Sequence, residues 1–289
     1  METETINLTT LVCDTINTIF FKIFSSIDNT VYTNLDNILF INSDIINDFK
    51  FKQLFGTDSN NGLLLLANSL IFGIVLFYVF HFAISHLIYT KVDSPYQFLF
   101  KCIIFIAFMN SSLWICEKII NFTSIISDCI LEIGASVSGH EISFSNLIHT
   151  INSSLYNPIQ EFNIFSYAGF LKICTSTAIL YILLTYSIRF ITLKIMVLLA
   201  PFAFISLINN QFDGFFKGWL KQFIILLSMQ IFTALILTLG FCLEFNNNDT
   251  LSNITYFAII AVIAKCNYSI KEIFSFIYNY SHNKLKDFV

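Results

Sequence analysis

Eight ionisable residues are set within or at the edges of long apolar runs: His81, His86, Lys101, Lys172, Arg189, Lys194, Glu244 and Lys265. A charge inside a bilayer costs about 2.5–3.5 kcal/mol on insertion scales, so such residues mark ion paths, substrate sites or headgroup anchors. Most of them lie within a turn or two of a run's end, where a long side chain reaches the interface. A proton relay would need carboxylates near the run centres, and those are nearly absent. His81 and His86 are five residues apart, about 140° around a helix, which argues against a shared metal. Gly139-His140-Glu141 sets a histidine beside a carboxylate, with nothing at i+4 to complete a metal pair. Seven scattered cysteines form no Cys-x-x-Cys and give neither a disulfide framework nor a zinc site. The nine glycines supply no phosphate loop and no dinucleotide fingerprint, and no hydrolase elbow or metalloprotease helix is present. The sequence predicts no catalysis, no cofactor and no metal.

The elements that must hold these residues are apolar and long. Six stretches stand out: Gly62–Tyr89, Phe98–Cys116, Ala168–Ile188, Ile191–Ile208, Phe223–Phe245 and Leu251–Cys266. Roughly 20 helical residues cross a hydrocarbon core of about 30 Å, and only the last stretch falls clearly short. Composition agrees: 56% of residues are hydrophobic and 12% charged, against about 25% charged in soluble domains. A net charge of −4 is too small to steer nucleic acid or an acidic ligand. The expected fold is all-α, a polytopic membrane protein with about six transmembrane helices preceded by N-terminal amphipathic helices. The acidic opening Met1-Glu2-Thr3-Glu4 is unlike a cleavable leader, so the first apolar run is expected to start insertion.

Around the spans, residues 1–61 form an N-terminal region with two expected amphipathic helices. In one, Ile16, Ile19, Phe20, Ile23, Phe24 and Ile27 recur at helical spacing; in the other, Leu35, Ile38, Leu39, Ile45, Ile46 and Phe49 do. They read equally as packing faces and as assembly surfaces. Residues 62–266 form the transmembrane domain, with an extramembrane insertion at 117–167. Residues 267–289 close with a short amphipathic helix, Ile270–Leu285. Tyr186–Lys194 joins the third and fourth stretches almost without a loop, and the cheap arrangement puts Arg189 and Lys194 at a surface hairpin. Six spans leave both termini on one side, and the bias of Lys and Arg favours the cytoplasm.

One segment is more distinctive. Leu198-Leu199-Ala200-Pro201-Phe202 places a proline in the fourth stretch, where it is expected to bend the helix. Soon after comes Asp213-Gly214-Phe215-Phe216-Lys217-Gly218-Trp219-Leu220-Lys221, then another span. Trp219 beside lysines is interfacial chemistry, so Trp219, Phe216 and Lys217 are expected at the headgroups. Over Arg189–Phe223 this pattern resembles the TrbL/VirB family of polytopic inner-membrane proteins in bacterial type IV secretion and conjugation systems. The layout of amphipathic helices, spans and middle loop is similar too, while the large or glycine-rich extensions of many members are not matched here.

The resemblance implies a multi-pass protein of the bacterial inner membrane. It would act as a platform or channel component that helps to translocate DNA or protein and to assemble the apparatus. Its partners would be other inner-membrane subunits, ATPases and pilin-like subunits, with the lipid bilayer around it and many copies in a larger complex. Two other classes compete. A small-molecule or ion transporter would use the intramembrane charges, although no internal repeat is evident; a scaffold would never touch the substrate.

Overall fold

A computed structural model describes residues 8–57, 62–88, 94–155, 163–209, 212–242, 254–266, 268–270 and 272. Those residues are helical or connect helices, and no strand occurs among them. Four helices are long and apolar enough to cross a membrane: Leu63–Ser85, Ser112–Ser138, Tyr167–Ser206 and Asp213–Cys242. Two shorter apolar helices, Pro95–Asn110 and Ile254–Cys266, accompany them.

The N-terminal region differs from expectation. One helix, α1 (Leu8–Leu39), contains the first expected amphipathic helix and takes in half of the second, Leu35, Ile38 and Leu39. No Pro or Gly lies in that stretch to stop it. The break comes where short polar side chains can take over backbone bonding. Asn42 caps a 3₁₀ turn at Ser43–Ile45, and Asp48 caps α2 (Phe49–Phe55) by accepting from the Lys50 N–H at 3.2 Å. Gly56, at φ 101°, closes α2 in the left-handed conformation that a β-carbon disfavours.

The first expected span is α3 (Leu63–Ile88). The second begins as α4 (Pro95–Asn110), with Ser94 as N-cap and Pro95 in the first turn. It stops at Ser111, and α5 (Ser112–Ser138) starts at once. The polar run Asn110-Ser111-Ser112 marks the break, yet Ser111 N–H still bonds to Ala107 O at 3.1 Å and Ile115 N–H to Ser111 O at 3.0 Å. So α4 and α5 follow each other with helical bonding carried across the break, and the start of the expected insertion lies inside a helix long enough to span. After α6 (Phe144–Leu155) comes α7 (Tyr167–Ser206), then α8 (Asp213–Cys242). Two expected spans, Ala168–Ile188 and Ile191–Ile208, are therefore one helix of 40 residues, about 60 Å long.

The chain folds as two compact units. One combines Met1–Phe40, Ile126–Ile188 and Met229–Val289. In it α1 packs on α6 through Leu35, Leu39, Leu147, Ile148 and Ile151, all buried. Asp36 caps α6 from across the sequence, accepting from Phe144 N–H at 2.8 Å and Ser145 N–H at 3.3 Å. Gly134 permits a close approach: a β-carbon there would run into the side chains of Ile142 and Thr238. The other unit comprises Ile41–Ile125 and Arg189–Ser228. Its core joins α2 residue Phe51, α4 residues Phe98, Cys102 and Met109, and facing residues of α7 and α8. Tyr78 of α3 stacks on Phe98 at 3.7 Å.

Candidate functional site around Arg189 and Trp219

The residues singled out by sequence lie on α7 and α8, and the structure moves several of them. Tyr186–Lys194 contains no Gly, Pro, Asn or Asp, the strongest turn formers, and its Ser187 and Thr192 are weaker ones. The helix runs through. Arg189, expected at a surface, is only 2% exposed. Its neighbours Ile188 and Ile191 face outward, and the guanidinium points inward, where Nε donates to the Leu226 carbonyl of α8 at 2.8 Å. A planar, weakly hydrated guanidinium tolerates such a place better than an ammonium.

Lys194 likewise sits within a continuous helix and not at a hairpin turn. It is half-buried, and its Nζ lies 5.1 Å from the Phe190 ring centroid and 5.8 Å from that of Phe51 in α2. Ring faces attract a cation, so α2 rests under a lysine of α7. Pro201 is buried within α7, which continues past it to Ser206. Lacking an N–H, Pro201 leaves the Val197 carbonyl without its usual helical donor.

One residue further back, the Met196 carbonyl accepts from Trp219 Nε1 at 2.8 Å. Trp219 is 5% exposed, so it is a core residue and not the headgroup anchor its lysine neighbours suggest. The physical reason is spacing. Trp219, Phe223 and Leu226 recur at i, i+4 and i+7 on the side of α8 that meets the buried Ala200 and Ala203 of α7. Small residues let the helices approach and leave room for the indole. Phe204, Phe216 and Phe223 surround it, with ring centroids at 5.9, 5.8 and 5.3 Å. Phe216 is half-buried and also meets Phe204 at 5.4 Å. Lys217 stays outside, paired with Asp213 one turn earlier at 2.6 Å. The Asp213–Lys221 segment is the opening of α8 itself, with Phe212 and Phe215 exposed beside the pair.

The structure thus brings Trp219, Phe216 and the Pro201 region of α7 together, ties Arg189 to α8, and leaves Lys217 apart. Sequence reading missed Met196, Phe204, Phe223 and Leu226; the i, i+4, i+7 pattern opposite two alanines was the available signal. It also missed a buried polar pair in the other unit. Tyr186 OH lies 2.6 Å from Thr233 Oγ1, which itself donates to Met229 O at 2.7 Å, so Tyr186 is the donor.

His81 stacks on Phe77 at 6.0 Å. Lys101 and Lys172 are half-buried and Lys265 is exposed. The His86 side chain, Glu244 and most of Ile270–Leu285 lie outside the described residues. Among the described residues no three His, Cys, Asp or Glu side chains come together as a metal site. What the arrangement does show is two side-chain donors, Arg189 Nε and Trp219 Nε1, set on backbone carbonyls that tie α7 and α8 together. Comparison of the chain with protein-family models and with curated proteins gives no match.

Proposed function

We propose that this chain is an inner-membrane subunit of a bacterial type IV secretion or conjugation machine. It would contribute to the platform or channel through which DNA or protein passes and to assembly of the apparatus, with energy from separate ATPases. One observation supports the reading beyond the resemblance itself. The residues that carry the resemblance, Arg189–Phe223, include the Trp219–Met196 hydrogen bond and the aromatic cluster around it, so the motif corresponds to one packed unit. A motif that was only an interfacial anchor would leave Trp219 at the surface. The six-span layout of the resemblance enters in reduced form, because its third and fourth spans are the single helix α7. No residue is assigned a catalytic role.

The test is deletion of the gene followed by measurement of DNA or protein transfer, with native purification of the tagged chain in parallel. Loss of transfer together with co-purification of ATPase and pilin-like subunits is the expected result. Normal transfer in the deletion strain, or solute-dependent ion flux through the purified chain in proteoliposomes, would replace the proposal by the transporter reading that the buried Arg189 favours.

A further inference from the structure

The seven-residue helix α2 divides its side chains sharply. Phe51 and Phe55 are buried beneath it, while Phe49 is 69% and Leu54 54% exposed. Lys50 lies between these two around the helix and is exposed as well, and half-buried Lys52 ends the helix as its last-turn cation. Lys194 of α7 reaches the same helix over the Phe51 ring. Two carboxylates stand nearby, and both are engaged at turns: Asp48 caps α2, and Asp44 accepts from the Asn42 side chain at 2.8 Å. Acid therefore sits at the helix start and its cations along the body.

What α2 adjoins decides what could cover its outer face. It packs against α3, whose apolar stretch has only 6% of its residues buried, compared with 50% in α7 and 56% in α8. A helix apolar on nearly all sides is a membrane element. The outer face of α2 thus continues the surface of the most lipid-accessible helix, just before that helix begins at Leu63. Large apolar residues beside lysines at such a position have the chemistry of an in-plane interfacial helix, in which rings and leucine enter the acyl boundary and ammonium groups meet phosphates.

We propose that α2 is a lipid-binding element: Phe49 and Leu54 insert at the bilayer interface, and Lys50 and Lys52 select anionic headgroups there. It acts as a collar at the entry of α3, and Lys194 ties it to α7.

The test uses the full-length chain carrying a photoreactive benzoylphenylalanine at position 49 or 54. It is reconstituted into vesicles of phosphatidylcholine containing about one-third phosphatidylglycerol, and peptide adducts are read by mass spectrometry. Position 72, on α3 and 69% exposed, is the positive control; position 146, on α6, is the control outside the proposed contact. Lipid adducts at 49 and 54, enriched in phosphatidylglycerol above its mole fraction, are expected. Lys50→Gln with Lys52→Gln should abolish that enrichment, which at this composition is at most about threefold, and return the phosphatidylglycerol share of adducts to its mole fraction. Three results would overturn the proposal: no lipid adduct at 49 and 54 while position 72 reacts; adducts that mirror bulk lipid and ignore the lysine changes; or cross-links at 49 and 54 to a second protein chain in place of lipid.

Discussion

A tryptophan N–H on a carbonyl and a guanidinium on another are small features, but each makes a separable prediction. Trp219→Phe keeps most of the ring packing against Phe204 and Phe223 and loses only the bond to Met196. It should cost about 1 kcal/mol, whereas Trp219→Ala, which also empties a buried site, should cost roughly 3–5 kcal/mol. Phe216→Ala, at a half-buried ring, should fall between these. Lys217→Ala removes an exposed i,i+4 pair and should change stability by no more than about 0.5 kcal/mol. Thermal unfolding of the four variants in detergent checks the order, and equal losses for Trp219→Ala and Lys217→Ala would contradict the buried placement. In the proposed role, Trp219→Phe is the informative variant for transfer assays, because Trp219→Ala lowers the amount of folded protein as well as its function.

At the scale of elements, the two ends of α7 separate the structure from the hairpin that the sequence suggested. Tyr181 and Leu199 are both exposed and 18 residues apart on one helix, about 27 Å, whereas a hairpin turning near Arg189 would bring them within about 10 Å. Distances between spin labels at these positions, in a cysteine-free background, distinguish the two. Asp36 gives a second prediction. Asp36→Ala removes the cap from α6 and should cost about 0.5–2 kcal/mol, with faster hydrogen exchange at Phe144 and Ser145. On α1, Ile19 and Ile23 are 52% and 47% exposed while Phe24 is 7% exposed. Ile19→Asp with Ile23→Asp should therefore leave abundance near wild type and, if the face serves assembly, abolish the larger complex on native gels. Phe24→Asp should lower abundance instead. These contrasts show what the sequence could convey. Helical class, the apolar runs and the first span were legible because they depend on local periodicity and length. The fusion of two spans into α7 was not, since Arg189 and Lys194 were weighed by the cost of burying a charge while their solutions, a carbonyl on α8 and a ring on α2, lie 37 and 143 residues away. Trp219 was misplaced for the same reason: adjacent lysines are visible in sequence, and Ala200 with Ala203 across an interface is not.

For the whole molecule, the Asp36 cap constrains topology. Asp36 and Phe144 share a hydrogen bond, so residues 36 and 144 lie at the same depth relative to a membrane. With that contact at a membrane surface, the chain between them crosses an even number of times. We predict two crossings there, one by α3 and one by α4 together with α5. Reporter fusions after residue 60 and after residue 140 should report the same compartment; opposite compartments would refute this topology. The long α7 carries one more implication, for biosynthesis. Arg189 has its carbonyl acceptor on a helix that the ribosome has not yet made when α7 emerges. Until Leu226 arrives, the nascent α7 carries Arg189 and Lys194 in an otherwise apolar run with the Arg189–Leu226 bond unmade, and a charge there has an insertion cost of about 2.5–3.5 kcal/mol. Helices α7 and α8 must therefore enter the bilayer as a pair, with the first waiting beside the insertion machinery for the second. A chain ending after residue 206 should be released poorly into lipid and be degraded, Arg189→Leu should rescue it, and a chain ending after residue 242 should need no rescue.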